Sequence, residues 1–183
     1  MSALVNKAVN NGANNVEIGE GFSGSGADAA HINTLLGHRD GPVGTAVATA
    51  LATPSPGHTP FLCVYEPGVP CEPPTLFVNK ATIAGDHHGG LTWGAAQAGV
   101  AEGVAAFAAE RFTPSDLGKY AIIVAVWVNP LAQNAPTVYR NNREATLTAL
   151  RQGGQWLAAD DVPATVALWR SGQPAHNPYF DPR

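Results

Sequence analysis

Between Tyr120 and Val128 the chain reads Tyr-Ala-Ile-Ile-Val-Ala-Val-Trp-Val, with no charge, glycine or proline. β-Branched and aromatic side chains at this density fit a pleated strand. The lack of polar alternation puts that strand at the centre of a sheet, covered on both faces. Such a strand obliges the rest of the chain to supply flanking strands and a layer of helices.

The remaining sequence is patterned accordingly. Val16–Phe22 and Ala29–Leu36 read as two strands, with the Gly/Ser run Ser23–Gly26 as the turn between them. Val43–Leu51 reads as a helix that stops before Pro54, with Asp40 available as its cap and Pro42 in its first turn. Thr59–Tyr65 and Thr75–Ile83 read as a third and a fourth strand, on either side of a rigid Pro67–Pro74 turn. An Ala-rich helix over residues 91–111 carries Trp93, Val100, Val104 and Phe107 at helical spacing, on one packing face. A further helix over residues 137–152 ends at Gly153-Gly154, and Ala164–Trp169 reads as a last strand. Short turns between successive strands favour antiparallel pairing. The expected class is therefore α+β, a mixed and largely antiparallel sheet covered by helices, rather than a doubly wound fold. A chain of 183 residues suits a single domain. Residues 16–170 are its expected extent, with 1–15 a flexible Asn-rich leader and 171–183 a loosely held tail.

Hydrophobic residues make up 45% of the chain and charged residues 13%, the balance of a packed globular protein with some apolar surface covered by other subunits. Net charge is −4 and no Lys/Arg cluster exists, which excludes a phosphate-binding face and hence a nucleic-acid partner. No secretory signal and no apolar stretch of about 20 residues are present, so a soluble, cytoplasmic protein without a membrane partner is expected. Cys63 and Cys71 flank the Pro/Gly turn without CxxC spacing; the expectation is free thiols and no metal site.

Gly24-x-Gly26 is not followed by the helix a dinucleotide fingerprint requires. His87 and His88 read as solvated loop residues rather than a metal site, His58 reads as a loop residue, and His38 and His176 lie beside turns and carry no pattern. His31 differs, being embedded in a strand where alternation puts it on the same face as Asn33. Lys80 and Thr82 repeat that spacing on a second strand, and Gln97 lies one turn into the long helix. On the residues alone this is a polar face shared by two strands. A core histidine with satisfied hydrogen bonds is the commoner reading of His31 at this point.

These residues sit in stretches that resemble the formaldehyde-activating enzyme family. They are Ile18-Gly19-Glu20, Ala30-His31-Ile32, Gly41-Pro42, Val69–Leu76, Asn79–Ile83, Ala96-Gln97 and Glu144-Ala145-Thr146, in order and in register from about Val16 to Gly153. The resemblance implies condensation of formaldehyde with tetrahydromethanopterin to the methylene-pterin, a hydro-lyase-type reaction. Its histidine falls on His31, as general acid for the departing hydroxyl, and its pterin-contacting positions fall on Asn33, Leu62, Lys80, Thr82 and Gln97. It also implies no covalently bound cofactor, a tetrahydromethanopterin-type carrier as co-substrate, no metal, and a homopentamer with clefts between neighbours. The sequence departs from the family at Asn33, which stands where the family has Asp, and at Asn129. It departs again at Asn141-Asn142-Arg143, which replaces an aromatic-flanked segment. Loss of that carboxylate leaves open a same-fold enzyme acting on another amine acceptor, or a non-catalytic pterin or formaldehyde binder.

Overall fold

A computed structural model describes residues 15–154 and 164–173. Five strands form the main sheet: β1 (Val16–Ser23), β2 (Ala30–His38), β3 (Phe61–Leu62), β6 (Thr75–Asn79) and β7 (Tyr120–Trp127), in the order β1-β2-β7-β6-β3. A separate hairpin is made by β4 (Val64–Glu66) and β5 (Val69–Pro70). Among the described residues only β6 and β7 pair in parallel; β1–β2, β2–β7 and β3–β6 are antiparallel, so the sheet is mixed and mostly antiparallel as expected.

Helices α3 (Gln97–Arg111) and α4 (Ala135–Gly153) cover one face. There Ala30, Ile32, Leu36, Phe77, Ile122, Val124 and Val126 of the sheet are buried together with Val100, Val104, Phe107, Ala145, Ala149 and Leu150 of the helices. Each large apolar side chain buried in this way contributes roughly 1.5–3 kcal/mol. Gly19 and Gly21 let β1 approach α4 backbone to backbone: a Cβ on them would lie 1.8 Å from Ala149 O and 2.1 Å from Ala145 O. Arg111 donates to Glu17 at 2.7 Å, tying α3 to β1. Burial pushes the Glu17 carboxyl above its usual range, against the opposing pull of Arg111.

The other face is covered at one end by α1 (Pro42–Ala52), whose Val43 packs over Gly37. Toward its opposite end that face is only half covered. On β7, Ile122, Val124 and Val126 are buried under the helices, whereas Ile123, Ala125 and Trp127 are half-buried, so the central strand is not sealed on both sides within one chain.

Several local expectations are corrected. Residues 164–170 form a helix, α5 (Ala164–Arg170), not a strand. A seven-residue apolar run has no decisive periodicity; Gly172, at φ +77, follows it where a helix commonly ends. The fourth strand stops at Asn79, because the Asn79 amide donates to Gly57 O (2.8 Å) and Ala81 O (2.9 Å) and turns the chain. The third strand divides at Cys63, which pairs by backbone with both Thr75 and Cys71, sending Val64 onward into the hairpin. Gly41, not Asp40, is the cap residue of α1, with no side-chain cap bond. The long helical run begins at α2 (Asp86–Gly90) and passes through a π-helical segment, Leu91–Ala96, before α3. That wider turn shifts the helical phase, so Trp93 is 54% exposed while Val100, Val104 and Phe107 keep the packing face. Gln97 is about three turns into the run rather than one. The expected leader and tail lie largely outside the described residues.

Candidate functional site

The face of the sheet turned away from α3 and α4 carries Glu20, His31 and Asn33. Antiparallel pairing sets His31 opposite Trp127 and Phe22, and Asn33 opposite Ala125 and Glu20, so Glu20 emerges on the same face, one step diagonal to His31. Glu20 Oε1 lies 2.8 Å from His31 Nε2. A carboxylate accepts only, so the ring carries its hydrogen on Nε2, and Nδ1 is left as an acceptor. Lys80 fills that side: its Nζ is 3.3 Å from His31 Nδ1 and donates to Asn33 Oδ1 at 2.8 Å. Lys80 lies just past the end of β6, where its backbone N–H still bonds Val126 O, which fixes the start of the side chain. Burial of its stem lowers the Lys80 pKa from the ordinary 10.5, with the Glu20 charge acting in the opposite direction. The resulting row Glu20–His31–Lys80–Asn33 is half-buried; strands hold Glu20, His31 and Asn33, and Lys80 follows directly on the end of β6.

Thr82 belongs to a second set. His58 Nδ1 donates to Asn79 O at 2.8 Å, which leaves Nε2 to accept from the Thr82 hydroxyl at 3.4 Å. Leu62 and Gln97 belong to a third, a cavity of about 370 Å³ lined with Phe61, Val64 and Trp93. Gln97 Oε1 accepts the Val64 N–H at 2.7 Å, so this amide also anchors the start of the hairpin. The structure thus gathers His31, Asn33 and Lys80 into one bonded set and distributes Thr82, Leu62 and Gln97 over two others. Glu20 was missed from sequence, although it stands in the Ile18-Gly19-Glu20 stretch. Parity along β1 and a short β1–β2 turn would have put it on the His31 face. Exposed Trp93 was missed because helical spacing assigned it to the core, yet π segments recur at functional sites.

Other candidates have structural duties. His88 is buried, accepting from Ala84 N–H at 3.0 Å and donating to Val128 O at 3.0 Å, and His87 donates to Ala132 O. Asn129 Oδ1 caps its own turn through Leu131 N–H. Asn141 donates to Asp28 O at 2.8 Å, and Arg143 pairs with Glu102 and Glu144; both lie on α4, on the far side of the sheet from His31. Cys63 and Cys71 are free and buried side by side, and the contact with Cys71 pushes the Cys63 thiol up.

The sequence matches the family model described as formaldehyde-activating enzyme (Fae) over residues 18–174. Similar proteins include the bifunctional enzyme Fae/Hps of Archaeoglobus fulgidus, 37% identical over 139 residues, which covers 75% of this chain and 35% of that protein. The bifunctional enzyme Fae/Hps of Methanosarcina barkeri is 39% identical, with 74% and 35% covered. That of Methanocella arvoryzae is 41% identical, with 73% and 34% covered. The matched part of this chain spans about a third of the length of these relatives.

Proposed function

The chain belongs to the formaldehyde-activating enzyme family, and on that premise we propose that it condenses formaldehyde with tetrahydromethanopterin, or a close pterin analogue, with His31 as general acid. The observation that carries this reading is the Glu20–His31–Lys80–Asn33 row on a half-open sheet face. Turning the amine–formaldehyde adduct into a methylene bridge requires loss of its oxygen as water, and His31 in its imidazolium form, protonated on Nδ1, supplies the proton to the departing hydroxyl. General acid assistance of this kind contributes about 10²–10⁴-fold. The Glu20 carboxylate fixes the ring orientation, while Lys80 and Asn33 set the polar edge against which the reactants lie.

The residues present suit a flat heteroaromatic co-substrate: Leu62, Phe61 and Trp93 give apolar walls, and Gln97 an amide at their margin. Thr82 offers a hydroxyl to the same ligand. These sets are separate in a single chain. The half-covered sheet face and the largely exposed, uncharged α1 are surfaces a second copy would cover. A ring of five subunits with the co-substrate between neighbours, in the cytoplasm, is the assembly this reading favours. Among the described residues no helix is long and apolar enough to cross a membrane. A second reading, the same reaction type with another amine acceptor, is favoured by Asn33, whose Oδ1 is engaged by Lys80 and which brings no charge to a protonated acceptor.

The test is the rate of methylene-pterin formation from formaldehyde and tetrahydromethanopterin, with and without protein, against the spontaneous background. Acceleration that is lost in His31→Ala, in protein of unchanged fold, supports the proposal. Absence of acceleration by folded protein moves the function to another acceptor or to binding alone, and full activity in His31→Ala removes His31 from the acid role.

A further inference from the structure

The arrangement around Lys80 has the form of an activated nucleophile. A nucleophile hydrogen-bonded to a base, with the base oriented by a third group, is the geometry that activates weak nucleophiles. Here Lys80 Nζ is 3.3 Å from His31 Nδ1, and His31 Nε2 is 2.8 Å from Glu20 Oε1. We propose that Glu20, His31 and Lys80 act as a triad in which the Lys80 amine takes up formaldehyde as a Schiff base and then passes the one-carbon unit to the acceptor amine. This deepens the preceding reading and rests on formaldehyde being the substrate.

Three features support it. Burial lowers the Lys80 pKa, which enlarges the fraction present as free amine. Asn33 holds Nζ through a neutral amide oxygen at 2.8 Å, which positions the nitrogen without the added negative charge that would hold it as ammonium. Finally, the chain has only three lysines, Lys7, Lys80 and Lys119. Lys119 is placed oppositely, paired with Asp116 at 2.8 Å and raised in pKa by that contact.

The steps balance. His31 Nδ1 takes a proton from the Lys80 ammonium, leaving the amine and an imidazolium whose Nε2–H stays on Glu20. The amine lone pair forms a C–N bond to formaldehyde, and after proton transfer from nitrogen to oxygen the adduct is the carbinolamine. The imidazolium returns its proton to the hydroxyl, the C–O bond breaks, water leaves, and Lys80 carries N⁺H=CH₂. The acceptor nitrogen attacks that carbon and its proton passes to the Lys80 nitrogen, and expulsion of the Lys80 amine leaves the methylene iminium on the acceptor. No oxidant or reductant is consumed. Lys80 is then a catalytic residue through direct contact with formaldehyde, and Glu20 is a positioning residue acting through His31.

The test is reductive trapping of the intact protein with ¹³C-formaldehyde and cyanoborohydride, without pterin, followed by peptide mapping. An iminium at Lys80 is fixed as N-methyl-lysine. The expected result is labelling at Lys80 several-fold faster than at Lys119, because the Lys80 amine is held beside a base and Lys119 is paired with a carboxylate. Glu20→Gln and His31→Gln should slow labelling at Lys80 and leave Lys119 unchanged. Lys80→Arg, which keeps the charge but is not a nucleophile under these conditions, should abolish acceleration in the pterin assay while its circular dichroism matches the wild type. Labelling at Lys80 no faster than at Lys119, or full acceleration by Lys80→Arg, overturns the triad. Acceleration with pterin but no trapping at Lys80 refutes the triad and leaves the pterin reading standing. Trapping without pterin acceleration supports the triad and refutes the pterin reading.

Discussion

Gly21 lies between the helix layer and the reactive face, and replacing it by alanine tests both. The added Cβ would stand 2.1 Å from Ala145 O and 2.9 Å from Ala149 N, both inside the 3.4 Å at which ordinary contact begins, the first by more than 1 Å. Both obstructing atoms are backbone, so no side-chain rotation relieves the clash; β1 and α4 must separate. A gap of 0.5–1 Å forfeits about a quarter to a half of each dispersion contact along the interface. Ala145, Ala149 and Leu150 all lie in that interface. Overpacking of this kind costs about 3 kcal/mol. In a chain of this size the melting temperature falls by roughly 6–12 °C. Because Glu20 is the adjacent residue, the same displacement moves its carboxylate off His31 and should lower formaldehyde-condensing activity in the protein that remains folded. Gly90→Ala is the control. Gly90 has helical angles, φ −59 and ψ −40, and nothing within 4 Å of a built Cβ. That substitution should stabilise by about 0.5–1 kcal/mol. Thermal and urea unfolding followed by circular dichroism measure both. A Gly21→Ala protein that melts within about 2 °C of wild type would refute the backbone-to-backbone packing of β1 on α4.

Gln97→Ala should leave the Val64 N–H without its acceptor, costing about 1–2 kcal/mol and raising hydrogen exchange at Val64 and along the β4–β5 hairpin; unchanged exchange there would show that Gln97 does not anchor it. Asp28 accepts from the Gln133 and Asn134 backbone N–H groups, which hold its carboxyl below the ordinary 3.8. The folded state therefore binds this proton less readily than the unfolded chain. The stabilisation is complete above 3.8 and is lost as pH falls through the lower folded value, so Asp28→Asn should flatten the acid limb of urea midpoints measured against pH. Phe77→Ala, at a fully buried ring stacked 4.8 Å from Phe61, should cost about 3–5 kcal/mol by urea unfolding, and a cost below 1 kcal/mol would show that β6 is not packed as described.

What the sequence alone determined is what depends on neighbours a few residues away. Tyr120–Trp127 announced a central strand through its β-branched run, and β1, β2, α1 and α4 lie within a few residues of where pattern and punctuation put them. The pairing of His31 with Asn33 followed from strand alternation in the same way. Tertiary structure decided whatever depends on residues far apart in the chain. Asn79 ends β6 because its amide finds Gly57, and the third strand breaks where Cys63 is shared by Thr75 and Cys71. The carboxylate that Asn33 does not provide is present after all, since the β1–β2 register carries Glu20 to His31. Lys80 reaches the same ring from residues about fifty positions later, through the parallel pairing of β6 with β7. Alternation fixes which face a side chain takes, but only strand register and order fix which other side chains it meets there.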